Sequence, residues 1–192
     1  KKKIFNIIEI GAGYGRTCHT FLSLNNNLKK YLIIDFPEML SLSSRYLKRV
    51  LDNKNFKKVS FIDANQNLDN ITELNLKNCL TININSFNEM SDNAFNIYIE
   101  LINGIGGFFY TKNPVAKFND PEITTNIKRK RIALNTGQIK KIINIFDEKE
   151  LNKAKRNYVQ TYLPSTKWKI ISTKFSRPLI YYLQTLYEKK IN

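Results

Sequence analysis

The sequence has few of the residues on which metal centres, disulfide frameworks and membrane anchors depend. Its 192 residues include two cysteines and one histidine, and Cys18 and Cys79 match no metal-binding or redox spacing. We therefore interpret them as reduced thiols of a cytoplasmic protein and expect no metal site. No apolar run approaches the roughly 20 residues that a membrane-spanning helix needs, and no signal-peptide pattern is found at the start.

Acidic residues are also scarce relative to basic ones. Lysine and arginine number 31 against 16 aspartates and glutamates, which gives a net charge of +15. Such an excess is typical of proteins that bind nucleic acid or another anionic partner. Lysine, asparagine and isoleucine are abundant along the whole chain, however, so a compositional bias explains the charge as well as a binding surface does. The one dense basic run, residues 128–131, is either a solvated loop or a face for an anionic substrate.

What the sequence does contain is an alternation of short apolar runs with amphipathic stretches. This alternation predicts a parallel sheet with crossover helices, in one domain over residues 1–192. A final pair of runs around Pro178 predicts an antiparallel hairpin. The seven expected strands are 4–10, 31–35, 59–62, 80–84, 108–110, 169–173 and 179–187.

Helices are expected between these strands. Asp147 and Glu150 form a capping box for the last of them. Residues 111–165 interrupt the alternation and are interpreted as a lid or substrate-binding insertion. One expected helix follows the glycine-rich segment after the first strand. The others cover 37–51, a short piece of 63–78, 91–102, 138–146 and 147–162.

A cluster of three glycines, in the segment EIGAGYGR, follows the first strand. No Lys-Ser or Lys-Thr pair follows it, which excludes a P-loop, and Arg16 replaces the third glycine of the dinucleotide fingerprint. Gly11 and Gly13 permit a tight turn and the close approach of a ligand, while backbone N–H groups at the helix start can receive a carboxylate. Glu9, just before the turn, disfavours a diphosphate and favours a cationic amine.

This E-x-G-x-G-x-G pattern resembles motif I of class I S-adenosylmethionine-dependent methyltransferases. The resemblance implies a Rossmann-like α/β fold: a mostly parallel seven-stranded sheet with an antiparallel C-terminal hairpin and helices on both faces. It also implies S-adenosyl-L-methionine as the cofactor. The implied cofactor-binding residues are Glu9, Gly11, Ala12, Gly13, Tyr14, Asp35, Phe36, Asp63, Ala64 and Asn85.

Several of these residues have a structural interpretation beside the functional one. Asp35 ends the second strand, where a carboxylate can accept both ribose hydroxyls, and it can also cap the helix that Pro37 opens. Asp63 either contacts adenine together with the Ala64 backbone or forms an Asx turn. Tyr14 either covers the cofactor or packs in the core.

The exit of the fourth strand, ININSFNEMSDNAF, resembles the corresponding segment of small-molecule O-methyltransferases. In the plant phenol enzymes of that class a His-Asp pair precedes a Ser-Asp helix start. Aligning Ser91 and Asp92 with that start places Asn88 at the histidine and Glu89 at the aspartate. Because an asparagine cannot act as a general base, Glu89 is the candidate catalytic residue; its alternative role is that of a carboxylate stabilised at a helix start.

Four segments together, EIGAGYGR, YLIIDFPEML, INSFNEMS and GGFFYTKNP, resemble a bacterial family of sugar O-methyltransferases. The resemblance covers residues 4 to about 114. It implies methyl transfer to a sugar hydroxyl of a surface polysaccharide or of its precursor, and a small-molecule or glycan substrate, which an anionic group would suit. Because related enzymes carry sequence before the first strand, an N-terminal region is expected to be missing here. The candidate substrate contacts are Arg16, Asn88, Tyr110 and Asn113.

Two other functions remain open from the sequence. The charge favours an RNA methyltransferase, although no RNA-binding module is recognised. The missing histidine at Asn88 favours a cofactor-binding scaffold without catalysis. The single histidine, His19, is on the flank of the first helix, where a structural or surface role is expected. The sugar, the hydroxyl and the oligomeric state are not specified by the sequence.

Overall fold

The computed structural model describes residues 3–66, 68–74, 76–117, 134–178 and 181–190. Its strands are β1 (Asn6–Ile10), β2 (Lys30–Asp35), β3 (Val59–Asp63), β4 (Cys79–Ile84), β5 (Phe108–Pro114), β6 (Trp168–Phe175) and β7 (Tyr182–Lys189). Its helices are α1 (Arg16–Leu24), α2 (Pro37–Val50), α3 (Asn53–Phe56), α4 (Asp69–Glu73), α5 (Asp92–Ile105) and α6 (Glu148–Thr161). A single turn of 3₁₀ helix spans Phe87–Glu89.

The strands form one seven-stranded sheet in the order β3-β2-β1-β4-β5-β7-β6. β1 pairs in parallel with β2 and β4, β2 pairs in parallel with β3, and β6 pairs antiparallel with β7. Every residue of β1 is buried, as expected of a central parallel strand that is covered on both faces. The predicted mostly parallel sheet with an antiparallel C-terminal hairpin is therefore confirmed.

The chain divides into two compact units, and each is described by itself. The first unit comprises Lys1–Ile84 and Leu101–Tyr110. Its core combines side chains from β1, β2 and β4 with Cys18 and Leu22 of α1 and Leu47 of α2. Gly15 at the start of α1 is a packing requirement, since a Cβ there would lie 3.1 Å from the Leu47 Cδ1 atom and φ is +91°.

The second unit comprises Asn85–Glu100 and Thr111–Asn192, and its core is rich in aromatic rings. Phe87 stacks on Tyr162 with ring centroids 6.0 Å apart and meets Phe95 edge to face at 5.2 Å. The Tyr158 hydroxyl accepts a hydrogen bond from the Asn113 backbone amide at 3.0 Å. These contacts fix α6, the end of β5 and the 3₁₀ turn within one core.

The predicted helix over residues 138–146 is wrong. The segment is not helical: Ile142 forms an isolated parallel β-bridge with Lys117, and the chain turns at residues 145–146. Lys117 supplies the reason, because its amide donates to the Lys141 carbonyl at 2.8 Å and its carbonyl accepts from the Ile143 amide at 3.3 Å. Pairing with the chain after β5 therefore overrides the local helical spacing.

Other elements differ from the predictions mainly in their bounds. α6 begins after Asp147, whose carboxylate caps it as predicted, whereas β5 continues to Pro114 and β7 begins at Tyr182. The basic run 128–131 lies outside the described residues, as does the part of the expected insertion from 118 to 133. The single domain over 1–192 and the lid role of 111–165 stay predictions.

Two expected absences concern membranes and metals. Among the described residues, no helix combines the length and the apolar character needed to cross a membrane. Over the same ranges, His, Cys, Asp and Glu side chains form no group of three that could hold a metal ion.

Candidate active site

The glycine cluster forms a left-handed corner between β1 and α1 in the first unit. Gly11, Gly13 and Gly15 have φ values of +72°, +57° and +91°, a conformation that glycine adopts without the strain of a side chain. A Cβ built at Gly13 meets no described atom within 4 Å. Packing therefore does not explain the glycine at position 13, and the space beside its backbone permits a ligand to approach closely.

The three glycine amides are not themselves open to a ligand. The amide of Gly11 donates to the Ile34 carbonyl at 2.9 Å and that of Gly15 to the Ala12 carbonyl at 3.1 Å. The Gly13 amide donates to Asp35 Oδ2 at 2.9 Å. The expected donors of the corner are therefore engaged at these three positions by acceptors of the protein.

Asp35 lies at the end of β2, beside the corner, as the sequence predicts. Its Oδ1 atom accepts a hydrogen bond from the Phe36 amide at 2.9 Å, and the residue is 8% exposed. Each carboxylate oxygen has a second lone pair beyond the one used in these bonds. Asp35 is thus held in a fixed orientation while keeping capacity to accept hydrogen bonds from hydroxyl groups.

Glu9 is enclosed in the first unit, with 2% of its surface exposed. The Tyr31 hydroxyl donates to Glu9 Oε2 at 2.7 Å. Burial raises the pKa of the Glu9 carboxyl from 4.5 to about 7, although hydrogen bonds from Tyr31 and Thr17 partly offset this, and the negative charge of Asp35 raises it further. Glu9 is therefore a buried carboxyl that titrates near neutral pH, and its predicted contact with an amine stays a prediction.

At the end of β3, Asp63 forms the Asx turn that was one of its two interpretations. Its Oδ1 accepts a hydrogen bond from the Asn65 amide at 2.9 Å. The Ala64 amide donates to the Asp35 carbonyl at 2.9 Å, so this backbone donor is already engaged. The two carboxylates, Asp35 and Asp63, are register partners in adjacent strands.

Aromatic side chains stand close in sequence to the corner and to Asp35. Tyr14 is 44% exposed and Phe36 is 58% exposed, and Tyr14 meets Tyr46 edge to face at 5.2 Å. His19 Nδ1 lies 3.0 Å from the same Tyr46 hydroxyl oxygen, so it has the expected structural role. Arg16 is exposed at the first position of α1.

In the second unit, Asn85 directly follows β4 with φ of +56°. Asparagine is one of the few residues that tolerate this left-handed conformation, and such conformations are concentrated at functional sites. Its Oδ1 atom accepts a hydrogen bond from the Tyr182 hydroxyl at 2.6 Å, and its amide donates to the Lys112 carbonyl at 2.9 Å. The side chain of Asn85 is exposed but oriented by this tyrosine.

The 3₁₀ turn that follows is fixed from two sides. Lys117 Nζ donates to the Asn88 carbonyl at 3.0 Å. The Gly137 amide donates to the Met90 carbonyl at 2.8 Å, and a Cβ at Gly137 would lie 2.6 Å from the Asn88 carbonyl oxygen. Only a glycine can bring its backbone this close to Asn88. The adjacent Glu89 side chain is exposed, while its backbone is held by these contacts.

Asn88 and the start of α5 complete this turn. The Asn88 Oδ1 atom is buried and has no hydrogen-bond partner among the described residues. Ser91 caps α5, with its Oγ accepting a hydrogen bond from the Ala94 amide at 3.2 Å. Asp92 forms a salt bridge with Lys140 at 3.0 Å.

Asn113 and Tyr110 are in different surroundings from the exposed Asn85 and Glu89. Asn113 is fully buried, and its Nδ2 donates to Thr111 Oγ1 at 2.8 Å. Tyr110 packs against the core of the first unit, and burial raises its pKa. Their roles as substrate contacts therefore stay predictions.

Three residues of the second unit were missed by sequence reasoning: Lys117, Gly137 and Tyr182. Lys117 is one of many lysines and Tyr182 one of ten tyrosines, so neither stands out by type. Gly137 is the single glycine after Gly107, and that isolation was the one available signal. All three act on Asn85 or on the turn at Asn88 and Glu89.

No family model matches the sequence, and no curated protein matches it either. Solved structures do match. The methyltransferase domain of bacterial CtHen1 has a TM-score of 0.60 and 10% sequence identity, over 95% of this chain and 89% of that chain. The mitomycin 7-O-methyltransferase MmcR has a TM-score of 0.63 and 6% identity, over 98% of this chain and 50% of that chain.

A third similar structure is the O-methyltransferase NcsB1 from neocarzinostatin biosynthesis, in complex with S-adenosylmethionine and 2-hydroxy-5-methyl naphthoic acid. Its TM-score is 0.58 at 10% identity, over 97% of this chain and 49% of that chain. The chain thus spans about half the length of the two O-methyltransferases. At these identities the similarity shows the fold, which is the predicted Rossmann-like methyltransferase fold.

Proposed function

We propose that the protein is an S-adenosylmethionine-dependent O-methyltransferase. The observation that carries this proposal is the left-handed corner at Gly13, which has open space beside its backbone and the Asp35 carboxylate bonded to its amide. The corner follows β1 and Asp35 ends β2, and carboxyl ends of parallel strands are where ligands bind in open α/β sheets. Similar structures were determined with S-adenosylmethionine, as for NcsB1, and with S-adenosylhomocysteine, as for PigF.

In this proposal the residues of the corner hold the cofactor, which supplies an electrophilic methyl group on a sulfonium. Gly11, Ala12 and Gly13 let its amino acid portion approach the backbone, and Asp35 accepts hydrogen bonds from the ribose hydroxyls. Tyr14 and Phe36 offer exposed rings to cover the ligand. Further proposed contacts are those of Glu9, Asp63, Ala64 and Asn85.

Glu89 is the proposed general base, which accepts the proton that an acceptor hydroxyl loses. Its side chain is exposed while its backbone is fixed by the contacts of Lys117 and Gly137 around Asn88. A positioned carboxylate of this kind can contribute roughly 10²- to 10⁴-fold to the rate. Asn88 and Arg16 remain proposed substrate contacts.

The proposed acceptor is a sugar hydroxyl, in a surface polysaccharide or its precursor. Support for a sugar comes from the sequence resemblance over residues 4 to about 114. A net charge of +15 suits an anionic sugar, and it equally supports the second candidate, RNA. Transfer of radiolabelled methyl groups to acidic glycans but not to RNA would support the sugar acceptor. Transfer to RNA but not to glycans, with salt-sensitive RNA binding, would support RNA as the acceptor and contradict the sugar.

The cofactor is tested by calorimetric titration of the protein with S-adenosylhomocysteine. We expect binding to the wild type and at least tenfold weaker binding to Asp35→Ala, because the ribose contact and the bond to Gly13 are both lost. Asp52→Ala, which removes an exposed helix cap elsewhere in the first unit, is the matched control and should bind normally. A wild-type protein that binds NAD but neither S-adenosylmethionine nor S-adenosylhomocysteine would contradict the proposal.

A further inference from the structure

One basic side chain of the second unit contacts the turn that carries Glu89. Lys117 Nζ donates to the carbonyl of Asn88, the residue directly before Glu89. The backbone of Lys117 is fixed on both sides, since its amide pairs with Lys141 and its carbonyl with Ile143. The lysine is therefore a rigid part of this turn, unlike an exposed lysine on a free loop.

Glu89 is the negatively charged residue that attracts the Lys117 ammonium. Burial lowers the pKa of the Lys117 amine, the negative charge of Glu89 opposes this, and the positive charge of Lys140 adds to it. Lys140 forms a salt bridge with Asp92. The pKa of Tyr182 is raised mainly by burial, then by Tyr181, and also by the negative charge of Glu89. An opposite charge nearby offsets part of the cost of removing an ammonium from water.

We infer that Lys117 is a positioning residue for Glu89: it fixes the backbone of the acidic turn, and its ammonium attracts the Glu89 carboxylate that is proposed to accept the proton. The inference rests on the proposed function, because proton acceptance by Glu89 is part of that function. Lys117 remains an ammonium throughout. The proton lost by the acceptor hydroxyl goes to Glu89 and from there to water.

The attraction is tested by NMR titration of the ¹³Cε signals of the lysines. Lys117→Arg assigns the Lys117 signal by its disappearance. In the wild type this signal should titrate below the other lysines, and in Glu89→Gln its midpoint should fall by roughly half a pH unit further, as removal of one opposite charge from a partly exposed pair predicts. The control Glu73→Gln, at an exposed position on α4, should leave the midpoint unchanged.

The backbone role is tested by hydrogen exchange at the amides of the turn. The Glu89 amide donates to the Ser86 carbonyl at 3.0 Å, so it is protected while the turn is formed. Lys117→Met should speed exchange at Glu89 by tenfold or more, and Lys117→Arg should restore protection. If Lys117 only held the backbone through its hydrogen bond to Asn88, Lys117→Met would still lose protection at the Glu89 amide. The titration midpoint of Lys117 would then be unchanged in Glu89→Gln.

The outcomes separate the inference from the proposed function. An equal Lys117 midpoint in the wild type and in Glu89→Gln overturns the inference, even when S-adenosylhomocysteine binds. A lower Lys117 midpoint in Glu89→Gln, together with restored protection of the Glu89 amide in Lys117→Arg, supports the inference. The same NMR result in a protein that binds no S-adenosylhomocysteine would support the attraction between Lys117 and Glu89 and contradict the proposed methyltransferase function.

Discussion

Tyr31 of β2 donates its phenolic proton to the Glu9 carboxylate of β1 across 2.7 Å in the buried part of the first unit. The bond joins two neighbouring parallel strands at the point where the glycine corner begins. It stabilises the ionised form of Glu9, but burial outweighs it, and the pKa of Glu9 is raised to about 7. The corner thus starts from a carboxyl that changes its charge near physiological pH.

We predict that Glu9→Gln changes the pH dependence of stability. The pKa of Glu9 in the folded state is raised above 4.5, so ionisation of Glu9 disfavours folding. The stability of the wild type therefore falls as the pH rises from about 4.5 to about 7, and the full penalty is present above pH 7. The penalty reaches about 3 kcal/mol. Glutamine can still accept the Tyr31 hydrogen bond, so the variant should lose this pH-dependent contribution.

Urea unfolding followed by far-ultraviolet circular dichroism between pH 4.5 and pH 8 measures the effect. The difference in unfolding free energy between Glu9→Gln and the wild type should grow in favour of the variant over this range. Glu73→Gln, at an exposed glutamate, is the control and should show no such trend. A difference that stays constant with pH would show that Glu9 does not titrate in this range.

Alanine at Gly13 and at Gly15 should have different consequences. Gly13→Ala keeps open space around the new Cβ, so it should cost about 1 kcal/mol from the left-handed φ alone. Its methyl group would fill the space proposed for the cofactor, so S-adenosylhomocysteine binding should weaken tenfold or more. Gly15→Ala adds a contact at 3.1 Å with Leu47 and should destabilise by about 2–3 kcal/mol.

Thermal unfolding and calorimetric binding of both variants distinguish the two glycines. The expected pattern is a larger loss of melting temperature in Gly15→Ala and, at a temperature where both are folded, a larger loss of affinity in Gly13→Ala. Equal losses of S-adenosylhomocysteine affinity in Gly13→Ala and Gly15→Ala would contradict the proposal that the cofactor occupies the space beside Gly13.

Glu89→Gln should reduce turnover by roughly 10²-fold or more, because the amide cannot accept the proton of the acceptor hydroxyl. Affinity for S-adenosylhomocysteine should change little. Single-turnover methyl transfer with the acceptor found in the glycan and RNA assays measures the effect. Asp92→Asn, which removes the neighbouring exposed carboxylate and its bond to Lys140, is the control. Turnover at the wild-type level in Glu89→Gln would exclude Glu89 as the base.

The sequence predicts the parallel part of the fold well because buried strands are nearly continuous apolar runs and amphipathic stretches alternate with them along the chain. It also predicts that Gly13 follows the first strand and that Asp35 ends the second, where ligands bind in open α/β sheets. The segment 138–146 was predicted wrongly, because isoleucine spacing alone cannot distinguish a helix from a strand when pairing partners are unknown.

By itself, then, the sequence determined the β-α alternation, the glycine corner and the acidic residue beside it, all of which depend on local patterns. Only the tertiary structure decided which distant residues meet the turn at Glu89: Lys117, Gly137 and, through Asn85, Tyr182. These contacts join positions 29 to 97 residues apart. Such contacts depend on how backbone segments pair and close on one another, and no periodicity in the chain encodes that.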